Sequence, residues 1–180
     1  MAKRNDDRRR SADDVSGGAT VATPSDCEIV ITRTFAASRR AVFDAWTKPE
    51  RVAQWWDPSR RPLAVCEIDL RPNGAFRFVH QGPPGSAHEF TGVYREIARP
   101  QRLVFTTKSP SGAESVGTLV FTEQGGRTSL TMTIACQSKS DRDALLEMRV
   151  DVGTIRTLDN LEEYLATTEA QGPQAAGSRL

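Results

Sequence analysis

The chain has 180 residues, 38% of them hydrophobic and 26% charged, with a formal net charge of +1 from 24 basic and 23 acidic side chains. That is enough for one domain with a sizeable core, and the near-neutral balance removes the overall field that nucleic acid or an anionic membrane surface would need. No apolar run approaches bilayer-spanning length, and the charged N-terminus has no apolar stretch behind it to make a secretory signal.

Residues 1–26 hold almost no large apolar side chains, and their five basic and five acidic groups cancel, so they read as a disordered tail. Arg8, Arg9 and Arg10 could meet a nucleic-acid phosphate, but Asp6, Asp7, Asp13 and Asp14 flank them and favour a solvated segment. Glu28 to Phe35, rich in β-branched residues, predicts a strand. Ser38 can cap a helix running through Thr47, with Val42, Phe43 and Trp46 at helical spacing. Thr47 lies three residues before Glu50 with Pro49 between them, a capping-box spacing that starts a second short helix from about Lys48 to Trp56. All three tryptophans of the chain, Trp46, Trp55 and Trp56, fall in this stretch. A short helix ending in two adjacent indoles cannot bury both on one face. Either one packs inward and the other reaches a groove, a partner or the mouth of a cavity, or both plug a core.

From Leu63 to Ala135 the pattern is a meander of antiparallel strands with Gly/Pro turns and no helices between them. LAVCEIDL leads into the Asn-Gly turn of RPNG, and AFRFVH then alternates, with Phe76, Phe78 and His80 on one face and Arg77 and Val79 on the other. If His80 and His88 close the next loop opposite each other, Phe78 faces Phe90 and Phe76 faces Gly92. That register gathers Phe76, Phe78, His80, His88, Phe90 and Tyr94 into an aromatic wall with a polar rim. Further strands follow as RLVFTTK, SVGTLVFTE and TSLTMTIA, the last with Leu130, Met132 and Ile134 on one face.

Lys139 to Thr167 reads as one long helix, with Ser138 at a capping distance from Asp141. Its apolar stripe is Leu145, Met148, Val152, Ile155, Leu158, Leu161 and Leu165. Gly153 falls inside it at a propensity cost of about 1 kcal/mol relative to Ala, a sign of close packing or of space beside a ligand. Residues 168–180 read as a second tail. The layout is α+β: two short helices after the first strand, then a curved antiparallel sheet of six to seven strands wrapped around a long C-terminal helix. A sheet closed by a single helix favours an enclosed space.

Four segments carry a resemblance: ITRTFAASRRAVFDAWTKPERVAQWW, DLRPNGAFRFV, FTGVYREIARPQRLVFTTK and GTIRTLDNLEEYLA. In this order they resemble the family named for the activator of the heat-shock protein 90 ATPase, in the START-like (SRPBCC, birch-pollen-allergen-like) superfamily. The resemblance covers residues 28–166 and implies a helix-grip domain, placed here at 27–167, with a pocket between sheet and long helix. The superfamily includes hydrophobic-ligand carriers, aromatase/cyclases, hydroxylase domains and a co-chaperone domain, and it implies no shared catalytic set. Relatives often carry a tryptophan after the helix glycine. Thr154 stands there in this chain, which implies a different pocket entrance.

The chemistry-bearing residues are few. His80 and His88 lack a third ligand for a metal, and no catalytic triad order, phosphate loop or HExxH is present, so no metal or cofactor is expected. Cys27, Cys66 and Cys136 have no metal spacing and fit free thiols in a reducing cytoplasm. Along one strand Cys66, Ile68 and Leu70 should point inward while Glu67 and Asp69 meet solvent. Tyr94, on the inner face, needs a polar partner in the protein or a ligand. Arg149 could reach an anionic ligand or lie on a solvated face.

The expected function is binding of a small hydrophobic or amphipathic molecule by Trp55, Phe76, Phe78, His80, Phe90 and Tyr94, with Met132, Met148 and Val152 opposite. One alternative is a co-chaperone-like interaction module that docks a protein partner, or a second copy of the chain, through an exposed Trp56. Another is a cyclase- or hydrolase-type enzyme with His80 or Tyr94 as acid–base.

Overall fold

A computed structural model describes residues 18–81, 88–109 and 112–170. In chain order the described elements are β1 (Thr20–Ala22), β2 (Glu28–Phe35), α1 (Arg39–Thr47), α2 (Pro49–Trp55), β3 (Leu63–Ile68), β4 (Ala75–His80), β5 (Glu89–Ala98), β6 (Arg102–Lys108), β7 (Glu114–Gln124), β8 (Arg127–Cys136), α3 (Lys139–Glu147) and α4 (Val150–Ala170). The strands form one antiparallel sheet in the order β1-β2-β8-β7-β6-β5-β4-β3. The expected meander occupies β3 to β8, and β2 closes back onto β8 with Ile31 opposite Met132.

Four details depart from the sequence reading. Residues 20–22, read as part of a tail, add an eighth strand at the β2 edge. Residues 168–170, read as tail, continue α4, while residues 1–17 and 171–180 of the expected tails lie outside the described residues. Thr47 does not cap α2: its hydroxyl turns back to the Phe43 carbonyl at 2.8 Å, and α2 begins on Lys48 and Pro49 without a side-chain cap. The long C-terminal helix breaks at Met148–Arg149, where Arg149 takes the left-handed φ of 59°. The Arg149 N–H donates to the Leu146 carbonyl at 3.0 Å, closing α3 as a left-handed residue does at many helix ends.

Other expectations hold in detail. The Ser38 and Ser138 hydroxyls accept from the N–H groups of Ala41 (3.3 Å) and Asp141 (3.1 Å). Phe76 pairs with Gly92 and Phe78 with Phe90, and the His80 N–H donates to the His88 carbonyl at 2.9 Å. Glu67 and Asp69 are exposed, while Cys66, Ile68 and Leu70 are half-buried against the core.

Two apolar clusters result. The larger joins Phe43 and Trp46 of α1, Ile29, Ile31 and Phe35 of β2, and Leu158, Leu161 and Leu165 of α4. The smaller sits under α2, with Val52 over Leu63, Phe76, Phe78 and Tyr94. Arg33 shares the inward face of β2 with Ile31 and Phe35 and is only 5% exposed. Its guanidinium pairs with Asp159 and Glu162 of α4, both of which keep contact with solvent. Two cross-strand pairs set a ring over a glycine: Phe76 over Gly92 and Phe105 over Gly117. A methyl at Gly92 would lie 2.4 Å from the Phe76 ring and 2.6 Å from the Thr106 carbonyl, and at Gly117 2.3 Å from the Phe105 ring.

Gly92→Ala is therefore expected to cost about 2 kcal/mol by overpacking, measured by urea unfolding. The Arg33 pair should respond asymmetrically. Replacing both carboxylates (Asp159→Asn with Glu162→Gln) strands a buried guanidinium and should cost about 3 kcal/mol, whereas Arg33→Met removes the buried charge and should cost less. Equal losses in chemical denaturation would refute that ordering.

Candidate functional site: a cavity between the sheet and the C-terminal helices

The site is organised by the end of α2. Val52 and Trp55, three residues apart, form the buried face of this helix, and the Trp55 indole N–H donates to the Ala45 carbonyl at 3.1 Å. Trp56 projects from the next angular position and is half-buried. Its ring stands edge-on to Trp46 (5.6 Å), Trp55 (5.5 Å) and Phe78 (4.8 Å) and stacks on Phe90 at 5.4 Å.

Helix ends leave carbonyls without intrahelical partners, and here they are satisfied by α4. The Asn160 amide donates to the carbonyls of Trp55 (3.3 Å) and Asp57 (2.8 Å). The Thr157 hydroxyl shares its proton between the carbonyls of Trp56 (3.2 Å) and Gly153 (3.0 Å).

Beyond Trp56 a cavity of about 490 Å³ opens between β5–β8 and the two C-terminal helices, within the size range of small-molecule sites. Its buried floor is Trp46, Gly117, Met132 and Leu158, and its exposed rim includes Lys108, Met148 and Arg149. Phe90, Phe105 and Ile134 line it from the sheet, and Val150, Gly153, Thr154 and Thr157 from α4. A Cβ added at Gly153 would meet nothing within 4 Å, so this glycine marks space rather than close packing. The Trp46 indole N–H is buried with no partner among the described residues.

One polar group is built into this wall. His80, at the end of β4, lines the cavity, and its Nδ1 lies 2.9 Å from Oδ2 of Asp57, which is 5% exposed. The other carboxylate oxygen, Oδ1, accepts from the Ser59 N–H at 2.6 Å and from the Ser59 hydroxyl. Burial alone would raise the Asp57 carboxyl, but the bonds from Ser59 and His80 outweigh it and hold the group below the ordinary aspartate value.

The sequence-predicted site residues divide in two. His80, Phe90, Met132 and Met148 line the cavity. Trp55, Phe76, Phe78, Tyr94 and Val152 do not. Neither tryptophan takes its expected place: Trp55, expected in the ligand site, is core, and Trp56, expected as an exposed docking residue, is cavity wall. Phe76, Phe78 and Tyr94 form the expected aromatic wall, but α2 and Trp56 sit on it and fill the space above. Val152 misses the cavity because it lies six residues before Leu158 on the same helix, about 120° around it, and the cavity-lining positions of α4 are 150, 153, 154, 157 and 158.

Burial, with Cys66 nearby, pushes the Tyr94 phenol well above its ordinary value, so it stays protonated. Burial and the Glu50 carboxylate push the Cys66 thiol up to about 11, leaving it inert as a nucleophile. Cys27 and Cys136, far apart in sequence, meet at the β2–β8 junction, where the Cys136 N–H donates to the Cys27 carbonyl at 2.8 Å. Both thiols are free.

Sequence reasoning missed Trp46, Phe105, Thr157 and Asp57. Alternation along RLVFTTK places Phe105 inward, and the Asp-Pro-Ser order signals the local turn at Asp57, but nothing local announces its pairing with His80.

No curated protein matches the chain. Solved structures match it closely in shape. A protein from Rhodobacter sphaeroides superposes with a TM-score of 0.76 at 24% identity, covering 83% of this chain and 98% of its own. A Nitrosomonas europaea protein gives 0.73 at 24% identity, covering 82% and 99%. Ms6760 from Mycobacterium smegmatis gives 0.73 at 24% identity, covering 83% and 99%. At that identity the likeness concerns the fold. A family model described as Activator of Hsp90 ATPase homolog 1-like protein matches residues 36–166, spanning α1, α2, the meander and nearly all of α4. The chain belongs to the Activator of Hsp90 ATPase homolog 1-like family, with a helix-grip fold.

Proposed function

We propose that the protein binds a small hydrophobic or amphipathic molecule in the cavity between the sheet and α3–α4. The observation that carries this reading is an apolar space of about 490 Å³ kept open by backbone choices, with Gly153 facing emptiness where a larger side chain would fit. A glycine there costs about 1 kcal/mol of helix propensity relative to alanine. Without an occupant, filling the space would be the more stable solution. Binding would draw on apolar burial at about 25 cal/mol per Å², and the exposed rim residues Lys108 and Arg149 leave room for a polar end. The free cysteines support a reducing, cytoplasmic setting. Among the described residues no helix is long and apolar enough to cross a membrane.

A co-chaperone-like role is supported by the family, but it would need a surface other than Trp56. The exposed large apolar residues, Val21, Val116 and Met148, lie on separate elements. Of the two acid–base candidates, Tyr94 lies outside the cavity and stays protonated, which leaves His80.

Native mass spectrometry of the purified protein, followed by denaturing extraction, is expected to reveal a co-purifying apolar molecule. A clean apo mass together with no thermal shift from a hydrophobic ligand panel would refute the reading. Gly153→Leu supplies the matched control. It should raise Tm slightly, as the helix gains propensity, and abolish ligand-induced thermal shifts by occupying the cavity; retained shifts would place binding elsewhere.

A further inference from the structure

We propose that His80, held by Asp57, is a fixed hydrogen-bond acceptor that selects cavity ligands carrying a weakly acidic ring hydroxyl, of the phenol or enol class. The inference deepens the ligand-binding reading and rests on it.

The argument starts from the bonding of Asp57. One carboxylate oxygen is taken by the Ser59 N–H and hydroxyl, and the other faces Nδ1 of His80 at 2.9 Å. A carboxylate can only accept, so the neutral imidazole carries its proton on Nδ1. The lone pair is then on Nε2, which has no partner among the described residues, on a ring that lines the cavity. The acceptor is rigid as well as free. The Asp57 carbonyl is tied to Asn160 at 2.8 Å, and the His80 backbone N–H to the His88 carbonyl at 2.9 Å. Its neighbours in the wall, Trp56 and Phe90, are stacked rings suited to a planar aromatic body. An aromatic ring bearing a hydroxyl matches both features, because the rings take the body and Nε2 accepts the O–H. An ether or hydrocarbon of the same size would leave the imidazole desolvated and unpaired.

The test uses three probes of nearly equal size: 2-naphthol, 2-methoxynaphthalene and naphthalene, titrated by calorimetry into the full chain. The wild type should bind 2-naphthol at least about tenfold more tightly than its methyl ether, the effect of one hydrogen bond formed against one acceptor left bare. His80→Leu should bring the two within about twofold and should bind naphthalene at least as tightly as the wild type does, because no imidazole is left desolvated and unpaired. Asp57→Asn should also erode the preference, since the amide can donate to Nδ1 and move the ring proton to Nε2.

Equal binding of naphthol and ether by the wild type would overturn the proposal and leave the cavity reading intact. Binding of none of the three would overturn both. A second readout is independent of affinity. The chain has two histidines, so the imidazole nitrogen-15 spectrum is assigned by comparison with His80→Leu. A proton on Nδ1 of His80, and a shift confined to its Nε2 on adding 2-naphthol, are expected. A proton on Nε2 in the free wild-type protein would overturn the assignment.

Discussion

Three carbonyl groups at the end of α2 set the terms for the rest of the molecule. Those of Trp55 and Trp56 have no intrahelical partner, that of Asp57 just beyond accepts from the Arg60 N–H at 2.9 Å, and all three also meet α4. A buried carbonyl left bare costs about 1–3 kcal/mol. Asn160 and Thr157 of α4 answer all three, and Asn160 is itself buried to do so. One short strip of hydrogen bonds thereby fixes three side chains with different tasks: Trp55 in the core, Trp56 on the cavity wall and Asp57 against His80. It also fixes the distance of α4 from the sheet at that end, and with it the depth of the cavity.

The other end is governed by small residues. Gly117 gives the Phe105 ring a bed on the neighbouring strand, which draws that ring down onto the sheet. On α4, Gly153 and Thr154 line the space with small side chains. The space is thus an outcome of consistent local choices on two elements, with no single residue responsible. Interiors otherwise pack to crystalline density, and the two apolar clusters flanking the cavity do so with long runs of touching rings, from Trp55 through Trp56 and Phe78 to Phe76 and Tyr94.

Much of this architecture can be read along the chain, because strand alternation and turn chemistry are local. The pairing of Phe76 with Gly92 followed from one assumption about the histidine loop, since a register slip would have turned every ring outward. The site was less legible, for two physical reasons. The first is angular. Trp55 and Trp56 differ by about 100° around a helix, and Val52, three residues before Trp55, was the available sign of which one faces the core. The second is a phase error. The apolar stripe drawn through Val152 drifts about 120° around the helix by Leu158, and it also ran across the break, where an arginine in a left-handed conformation carries no signature comparable to a glycine or asparagine. Arg33 and Asp57 were out of reach altogether, because each is explained by a partner on another element.

The same strip of hydrogen bonds carries a consequence for the order in which the protein comes into being. Asn160 follows the carbonyls it satisfies by 103 to 105 residues, and β2 likewise waits for β8, the last strand of the sheet. During synthesis the tryptophan-rich helix pair emerges early; α2 meets β3 to β5 as the meander forms behind it, but the carbonyls at its end wait for α4. Contacts of such long sequence separation are slow to form, and the surfaces awaiting them stay exposed meanwhile. The cavity is thus among the last parts of the molecule to exist, and the indoles that will line it are the surface most in need of protection until α4 arrives.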